Sequence, residues 1–186
     1  ANSAKRHLTR AGNPEGQNDF ESFMDQLDSE LTTEKHTVKH LKLRDMNLKY
    51  CTGCWACWVK TPGKCIVPDD SRTVCAESIN SDMVVFASPL KMGFPTTLLK
   101  QAMDKMIPLV HPYIEIVENE CHHKKRYEKY PKLSLIIGKE ADTDDEDIKI
   151  VSDIFHRLAK NFRSTLELVS FSDKPAQEVC NEISAI

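Results

Sequence analysis

Apolar positions recur along the chain with two different periods, and the alternation between them outlines its elements. Phe20, Phe23, Met24, Leu27 and Leu31 fall at helical spacing, which predicts an amphipathic helix over about 18–31. Val38, Leu41 and Leu43 belong to a predicted strand ending near Arg44, and a short helix opens at Asp70. Met83-Val84-Val85-Phe86-Ala87 is apolar without alternation, as in a strand buried on both faces. Ser88-Pro89 ends it, and Leu98, Leu99, Ala102, Met103, Met106 and Ile107 form one stripe of a helix beginning near Pro95. A second apolar run, 133–137, precedes Thr143-Asp144-Asp145-Glu146, which has capping-box spacing, and then a helix burying Val151, Ile154, Phe155, Leu158 and Phe162. A last strand over 166–171 leads to a terminal helix with Ala176, Val179 and Ile183. The first 17 residues are polar and turn-rich, and 113–130, where Ile114 and Ile116 alternate with Glu115, reads as an extended arm or hairpin.

Strands alternating with helices predict βαβ units, hence an α/β fold with a parallel sheet covered on both faces. In such folds the site lies at the carboxyl ends of the strands, which singles out the loops at 51–65, 88–93 and 138–147. The length, 186 residues, suits one compact domain. A net charge of -3 lacks the basic footprint of a nucleic-acid binder. No apolar run is long enough to span a membrane, and no basic-then-apolar leader opens the sequence, so a cytoplasmic protein is expected. The six glycines are too scattered to make a G-x-G-x-x-G loop or a G-x-x-x-x-G-K-[ST] loop, which excludes those two nucleotide-binding motifs.

Seven cysteines, an odd number without a secretion signal, favour metal or redox chemistry in a reducing compartment over a disulfide framework. Cys51, Cys54 and Cys57 are spaced C-x2-C-x2-C, and Cys65 follows after seven residues. Zinc usually takes two separated pairs, whereas three thiols at steps of three plus a fourth nearby better suit the corners of an iron–sulfur cube. The same residues are also compatible with a turn-rich loop whose thiols pack beneath the strand ends, or with a redox dithiol. Trp55 and Trp58 flank Cys57 and could shield a cofactor, plug an interface or simply pack. Cys75 and Cys180 read as core residues on helix faces. Cys121-His122-His123, followed by lysines, reads as a solvated loop rather than a metal site. In the loop Ser88-Pro89-Leu90-Lys91-Met92-Gly93, backbone amides, a hydroxyl and a glycine could hydrogen-bond the edge of a planar cofactor, or simply connect strand to helix.

Two stretches taken together resemble a known family. The run from Cys51 to Asp70, C-T-G-C-W-A-C-W-V-K-T-P-G-K-C-I-V-P-D-D, resembles the C-x-G-C-x-x-C…P-G-x-C…D-D signature of the flavodoxin-like NAD(P)H-dependent FMN reductases. It is also similar to the compact cysteine motif of the iron–sulfur flavoproteins in the same superfamily. F-A-S-P-L-K-M-G, ending at Gly93 and leading to Leu99-Lys100 and Asp104-Lys105, resembles their S-P-V-Y-F-G segment and the helix after it. The likeness runs from about residue 18 to the end, with 51–105 its specific part.

The resemblance implies a flavodoxin-like three-layer α/β/α sandwich over 1–186, with an arm inserted at about 113–130. It implies FMN bound non-covalently at the strand ends and NAD(P)H as the reductant. Carried over, the flavin contacts would be Ser88, Pro89, Leu90, Lys91, Met92 and Gly93, with Gly138 and Glu140 from the next loop. Cys51, Cys54, Cys57 and Cys65 would be the ligands if a 4Fe-4S cluster is present. The family opens with a buried strand and a G-S-x-R-x-x-S loop that cradles the phosphate. Here Ala1-Asn2-Ser3-Ala4-Lys5 could be the tail of that loop, with Ser3 a phosphate contact. The first strand is therefore expected to be missing and the sequence to be N-terminally incomplete. Lys91 stands where the family often has an aromatic packed on the flavin; its charge would raise the flavin potential, or it points to solvent.

The function expected is an FMN-binding oxidoreductase that passes electrons from NAD(P)H to a small acceptor. One alternative is an iron–sulfur flavoprotein passing electrons between protein partners; the other is a flavodoxin-like binding module without cofactor. A flavin at strand ends is open to solvent, and a partner subunit can cover it, so a homodimer or homotetramer is expected, with the arm a candidate contact. No catalytic acid or base is identifiable from the sequence.

Overall fold

A computed structural model describes residues 5–12 and 18–186. In chain order its elements are β1 (Arg6–Ala11), α1 (Asn18–Thr33), β2 (Thr37–Lys42), α2 (Ala56–Val59), α3 (Ser71–Ile79), β3 (Met83–Lys91), β4 (Phe94–Pro95) and α4 (Thr97–Asp104). Then follow β5 (Val110–Val117), β6 (Glu120–Lys125), β7 (Lys132–Gly138), α5 (Asp145–Asn161), β8 (Leu166–Phe171) and α6 (Ala176–Ser184). The main sheet has the order β2-β1-β3-β7-β8, with every pair along it parallel. This is the flavodoxin-like strand order, and its direction reverses between β1 and β3. Among the described residues no helix is long and apolar enough to cross a membrane.

The strand expected to be missing is present. β1 lies inside the sheet, paired with β2 on one side and β3 on the other, so no gap is left. Arg-His-Leu-Thr-Arg-Ala carries no apolar run, so its local signal is weak and the expectation of a polar, turn-rich start failed there. Two neighbouring ladders supply the hydrogen bonds that make it a strand, and that is a tertiary effect.

Side chains alternate across the sheet and build two cores. From β3, Val84 and Phe86 point to one face with Leu133, Leu135 and Ile137 of β7, where Leu99, Ala102, Val151 and Phe155 of the helices close over them. Met83, Val85 and Ala87 point to the other face, against α1 and α6, whose Met24, Leu27, Leu31, Val179 and Ile183 are completely buried. Each such large side chain contributes about 1.5–3 kcal/mol by leaving water. Helix α1 ends in a Schellman arrangement: Lys35 is left-handed at φ 67°, and the amide of His36 donates to the Leu31 carbonyl at 3.0 Å. The box that opens α5 is formed by Asp144 and Asp147, one residue later than the Thr143–Glu146 spacing predicts.

The stretch expected as an arm forms the antiparallel β5–β6 hairpin, turning at Glu118 and Asn119, both with positive φ. Cys121-His122-His123 lies in β6 rather than in a solvated loop. His122 is buried, 3.2 Å from Asn161 Oδ1 and 3.1 Å from Glu120 Oε2, while the His123 ring lies 5.1 Å from that of Trp58.

Candidate functional site

The carboxyl ends of β1, β3 and β7 converge on one edge. Gly12, just past β1, donates its amide to the Ala87 carbonyl at 2.9 Å, and its own carbonyl accepts from the Thr96 hydroxyl. Pro89 pairs with Gly138 across β3 and β7. Beyond them β3 does not simply end: it folds back as β4 through a two-residue turn, Met92-Gly93, with Lys91 facing Phe94. Both turn residues have positive φ, 52° and 74°, as a type I′ hairpin turn requires. A side chain at Gly93 would also strike the carboxylate of Asp147 at the start of α5. Lys91 reaches across to form an ion pair with Glu140.

The site residues anticipated from the sequence thus take different roles in space. Ser88, Pro89 and Leu90 are buried, and the Ser88 hydroxyl is satisfied internally. It donates to the Pro89 carbonyl at 2.8 Å and accepts from the Thr96 amide at 3.0 Å. Gly138 is packed beneath: a Cβ there would lie 2.7 Å from the Phe20 ring. The charge of Lys91 is matched by Glu140, whose carboxyl is held below its ordinary range by the lysine's hydrogen bond. What the hairpin offers to a planar group is apolar: Met92 is 91 % exposed and Phe94 53 %. Phe94 escaped the sequence analysis because the turn that brings it opposite Lys91 depends on Met92 adopting positive φ. These exposed side chains, set beside backbone at the carboxyl ends of parallel strands, fit a flavin ring. Ser3 lies outside the described residues.

A second site lies in the loop after β2. Cys51, Cys54, Cys57 and Cys65 all line one pocket of about 240 Å³, walled also by Trp55 and Lys105. Trp55 is left-handed at φ 57° and stacks on Trp58 at 4.9 Å between ring centroids, while Trp58 donates its indole N–H to the Val110 carbonyl at 2.9 Å. Burial pushes the Cys57 thiol up, and the neighbouring Cys65 and Cys51 add to it. Among the described residues no three ligating side chains converge as a single metal ion would require. A single zinc ion holds each thiolate at about 2.3 Å. Four cysteine side chains lining one pocket are a donor set of the kind that iron–sulfur clusters take.

The loop is anchored by two adjacent aspartates. Asp70 accepts from the Asn47 amide at 2.7 Å and Asp69 from the Lys49 amide at 2.9 Å. Asp69 is also ion-paired at 2.9 Å with Lys105, whose side chain is 1 % exposed. Burial alone would raise the Asp69 carboxyl, but hydrogen bonds from Ser71, Lys105 and the Lys49 amide outweigh it and bring its pKa to about 2. Burial likewise works to lower Lys105, and its bonds to Asp69 and Cys65 reverse that, holding it above its ordinary value. The role of this pair escaped the sequence analysis; the D-D of the motif and the Asp104-Lys105 step were its only traces there.

Residues 11–125, more than half of the chain, match the NADPH-dependent FMN reductases. The chain belongs to that family. Two curated relatives are iron–sulfur flavoproteins. One, from Archaeoglobus fulgidus, is 29 % identical over 100 residues, covering 54 % of this chain and 44 % of the relative. The other, from Methanocaldococcus jannaschii, is 32 % identical over 72 residues, covering 39 % of this chain and 36 % of the relative. The chain therefore spans less than half the length of either. Among solved structures, a Streptococcus mutans protein superposes with a TM-score of 0.64 at 14 % identity, over 97 % of both chains. An azoreductase from Bacillus anthracis superposes with a TM-score of 0.59 at 14 % identity, over 97 % of this chain and 93 % of that one. These neighbours establish the flavodoxin-like fold of this FMN reductase family member.

Proposed function

We propose that this chain is one flavodoxin-like domain that binds FMN, takes hydride from NAD(P)H and passes the electrons to a small acceptor. The observation that supports it most is the convergence of the 88–93 hairpin and the 138–147 loop at the strands' carboxyl ends, in a chain of the FMN reductase family. When bound there, FMN supplies the redox chemistry, accepting hydride at N5 and releasing electrons singly or in pairs. The chain's own part is placement. Ser88, Pro89 and Leu90 hold the root of the hairpin, and Met92 and Phe94 present an apolar surface to the ring. The Lys91–Glu140 pair ties the hairpin to the neighbouring loop, and Gly93 leaves room for the Asp147 carboxylate at the start of α5. Gly138 lets the Phe20 ring close beneath it.

The test is an anaerobic purification with FMN. The protein should carry the flavin's visible bands, and NADH or NADPH should bleach them. A colourless protein that ignores added FMN would overturn the reading and leave a flavodoxin-like binding module.

A second reading rests on the four thiols sharing one pocket: an iron–sulfur flavoprotein handing electrons to a redox protein. Iron and acid-labile sulfide measured on the same sample decide it. About four irons per chain support a 4Fe-4S group on Cys51, Cys54, Cys57 and Cys65. Flavin without iron makes those thiols structural. In either case the β5–β6 arm, with Tyr113, Ile114 and Ile116 exposed, is our candidate contact for a homodimer or homotetramer. A monomeric mass in light scattering at micromolar concentration would reject that assembly.

A further inference from the structure

The geometry points to Lys105 as a positioning residue that aims a fixed positive charge at the Cys65 side of the cysteine pocket and so raises the reduction potential of an iron–sulfur cluster held there. The inference rests on the cluster reading above. Lysine is almost never fully buried without a partner. This one has two, Asp69 Oδ2 at 2.9 Å and Cys65 Sγ at 3.1 Å. The side chain of Asp69 is itself completely buried and accepts further bonds from the Ser71 hydroxyl at 2.5 Å, the Ser71 amide at 3.1 Å and the Lys49 amide at 2.9 Å. These bonds orient the carboxylate, and the ammonium lies between it and a thiol of the pocket.

A buried pair of this kind is poor value for stability, since well-packed apolar residues of the same volume often serve as well or better. Its orientation is what distinguishes it: the anion faces the loop backbone and the cation faces sulfur. Cysteine-ligated clusters take their potentials from net charge and from hydrogen bonds to sulfur. A cation donating to a ligand sulfur favours the state with more negative charge, which is the reduced one. Reduction adds one electron, supplied by reduced flavin or by a titrant such as dithionite. No bond to the chain is made or broken and no proton is transferred.

The test compares Lys105→Gln, Asp69→Asn and the double variant in the full chain, reconstituted anaerobically with FMN, iron and sulfide. The cluster midpoint is read by electron paramagnetic resonance during a reductive titration, and the flavin midpoint by absorbance in the same samples. Lys105→Gln should shift the reduction equilibrium toward the oxidised cluster by about tenfold or more, equivalent to 59 mV for one electron. Asp69→Asn, which leaves the cation unopposed, should shift it the other way. The double variant, which also spares the fold an unpaired buried charge, should fall between the two. The flavin midpoint should stay with the wild type. Opposite signs are the signature that loosened packing would not produce. Shifts of the same sign, or none in an iron-replete protein, overturn the role of Lys105 alone. Wild type that takes up no iron overturns the cluster reading and this inference with it.

Discussion

At the β3–β4 hairpin the polar groups are bound to one another: the Ser88 hydroxyl to Thr96 and Thr96 to Gly12 in the interior, and Lys91 to Glu140 at the surface. The apolar side chains left facing outward are Met92 and Phe94. In the cysteine pocket the arrangement is reversed. Four thiols and a buried ammonium share one space, and the ammonium is braced from behind by Asp69. The hairpin is thus organised as an apolar platform whose hydrogen bonds serve its own shape, and the pocket as a charged, sulfur-lined cavity in which a hydrogen bond reaches a thiol. On the readings proposed above, the first would stack on a planar ring and the second would tune a group bound through sulfur. Hydroxyls and amides in a motif do not by themselves face a ligand; the direction in which their bonds are spent decides it.

The largest expected effect breaks the pocket side of this comparison. Lys105→Met leaves Asp69 as an unpaired buried charge and should cost about 3–5 kcal/mol of stability in urea unfolding, most of it recovered in Lys105→Met/Asp69→Leu. Little recovery would mean that the pair is worth more than its apolar replacement.

Next comes a pH effect from β1, far from either site. His7 is completely buried, 3.1 Å from His36, and burial together with the neighbouring His36 lowers its pKa from 6.5 to about 4. Between those values the unfolded chain binds a proton that the folded one refuses. Stability should therefore fall, by on the order of 3 kcal/mol, as pH drops from about 6.5 to about 4, and this residue should cost nothing further below that. Denaturant midpoints across this range should lose most of their slope in His7→Leu; an unchanged slope would exclude the histidine as the source.

The hairpin is sharpened by two smaller changes with opposite readouts. Ser88→Ala removes the acceptor of the Thr96 amide and should cost about 1–3 kcal/mol of stability, leaving FMN affinity within about threefold. Phe94→Ser should leave the unfolding midpoint nearly unmoved and weaken FMN binding by about tenfold, 1.4 kcal/mol. If Ser88→Ala is the variant that loses FMN while Phe94→Ser keeps it, the hydroxyl faces the ligand after all and the platform description fails. Smallest of all, Lys91→Ala should leave the thermal midpoint unchanged, because its ion pair is exposed to solvent and screened.

Most of the layered fold was legible in the sequence because its signals are local. The all-apolar run in β3, the helical stripe from Phe20 to Leu31 and the span of β8 follow from side-chain periodicity, which any chain expresses wherever it is half or wholly buried. The four cysteines were legible too, because only about fifteen residues separate the first from the last and a short loop cannot carry them far apart. β1 was not legible. Its residues carry no apolar run, and its identity as a strand comes from β2 and β3 on either side. Nor was the burial of the Ser88 hydroxyl against Thr96, eight residues on, because it depends on β3 turning back at two residues of positive φ.

The sequence by itself determined the parallel α/β plan and the clustering of thiols, which rest on spacing within short windows, and it carried the family as the resemblance of two motifs. Only the tertiary structure decided which polar groups are bonded to each other and which side chains stay exposed. Lys105 and Asp69 are thirty-six positions apart and meet because helix α4 packs beside the cysteine loop; no periodicity or motif spacing encodes that contact. A buried charge must find its partner wherever the fold places one.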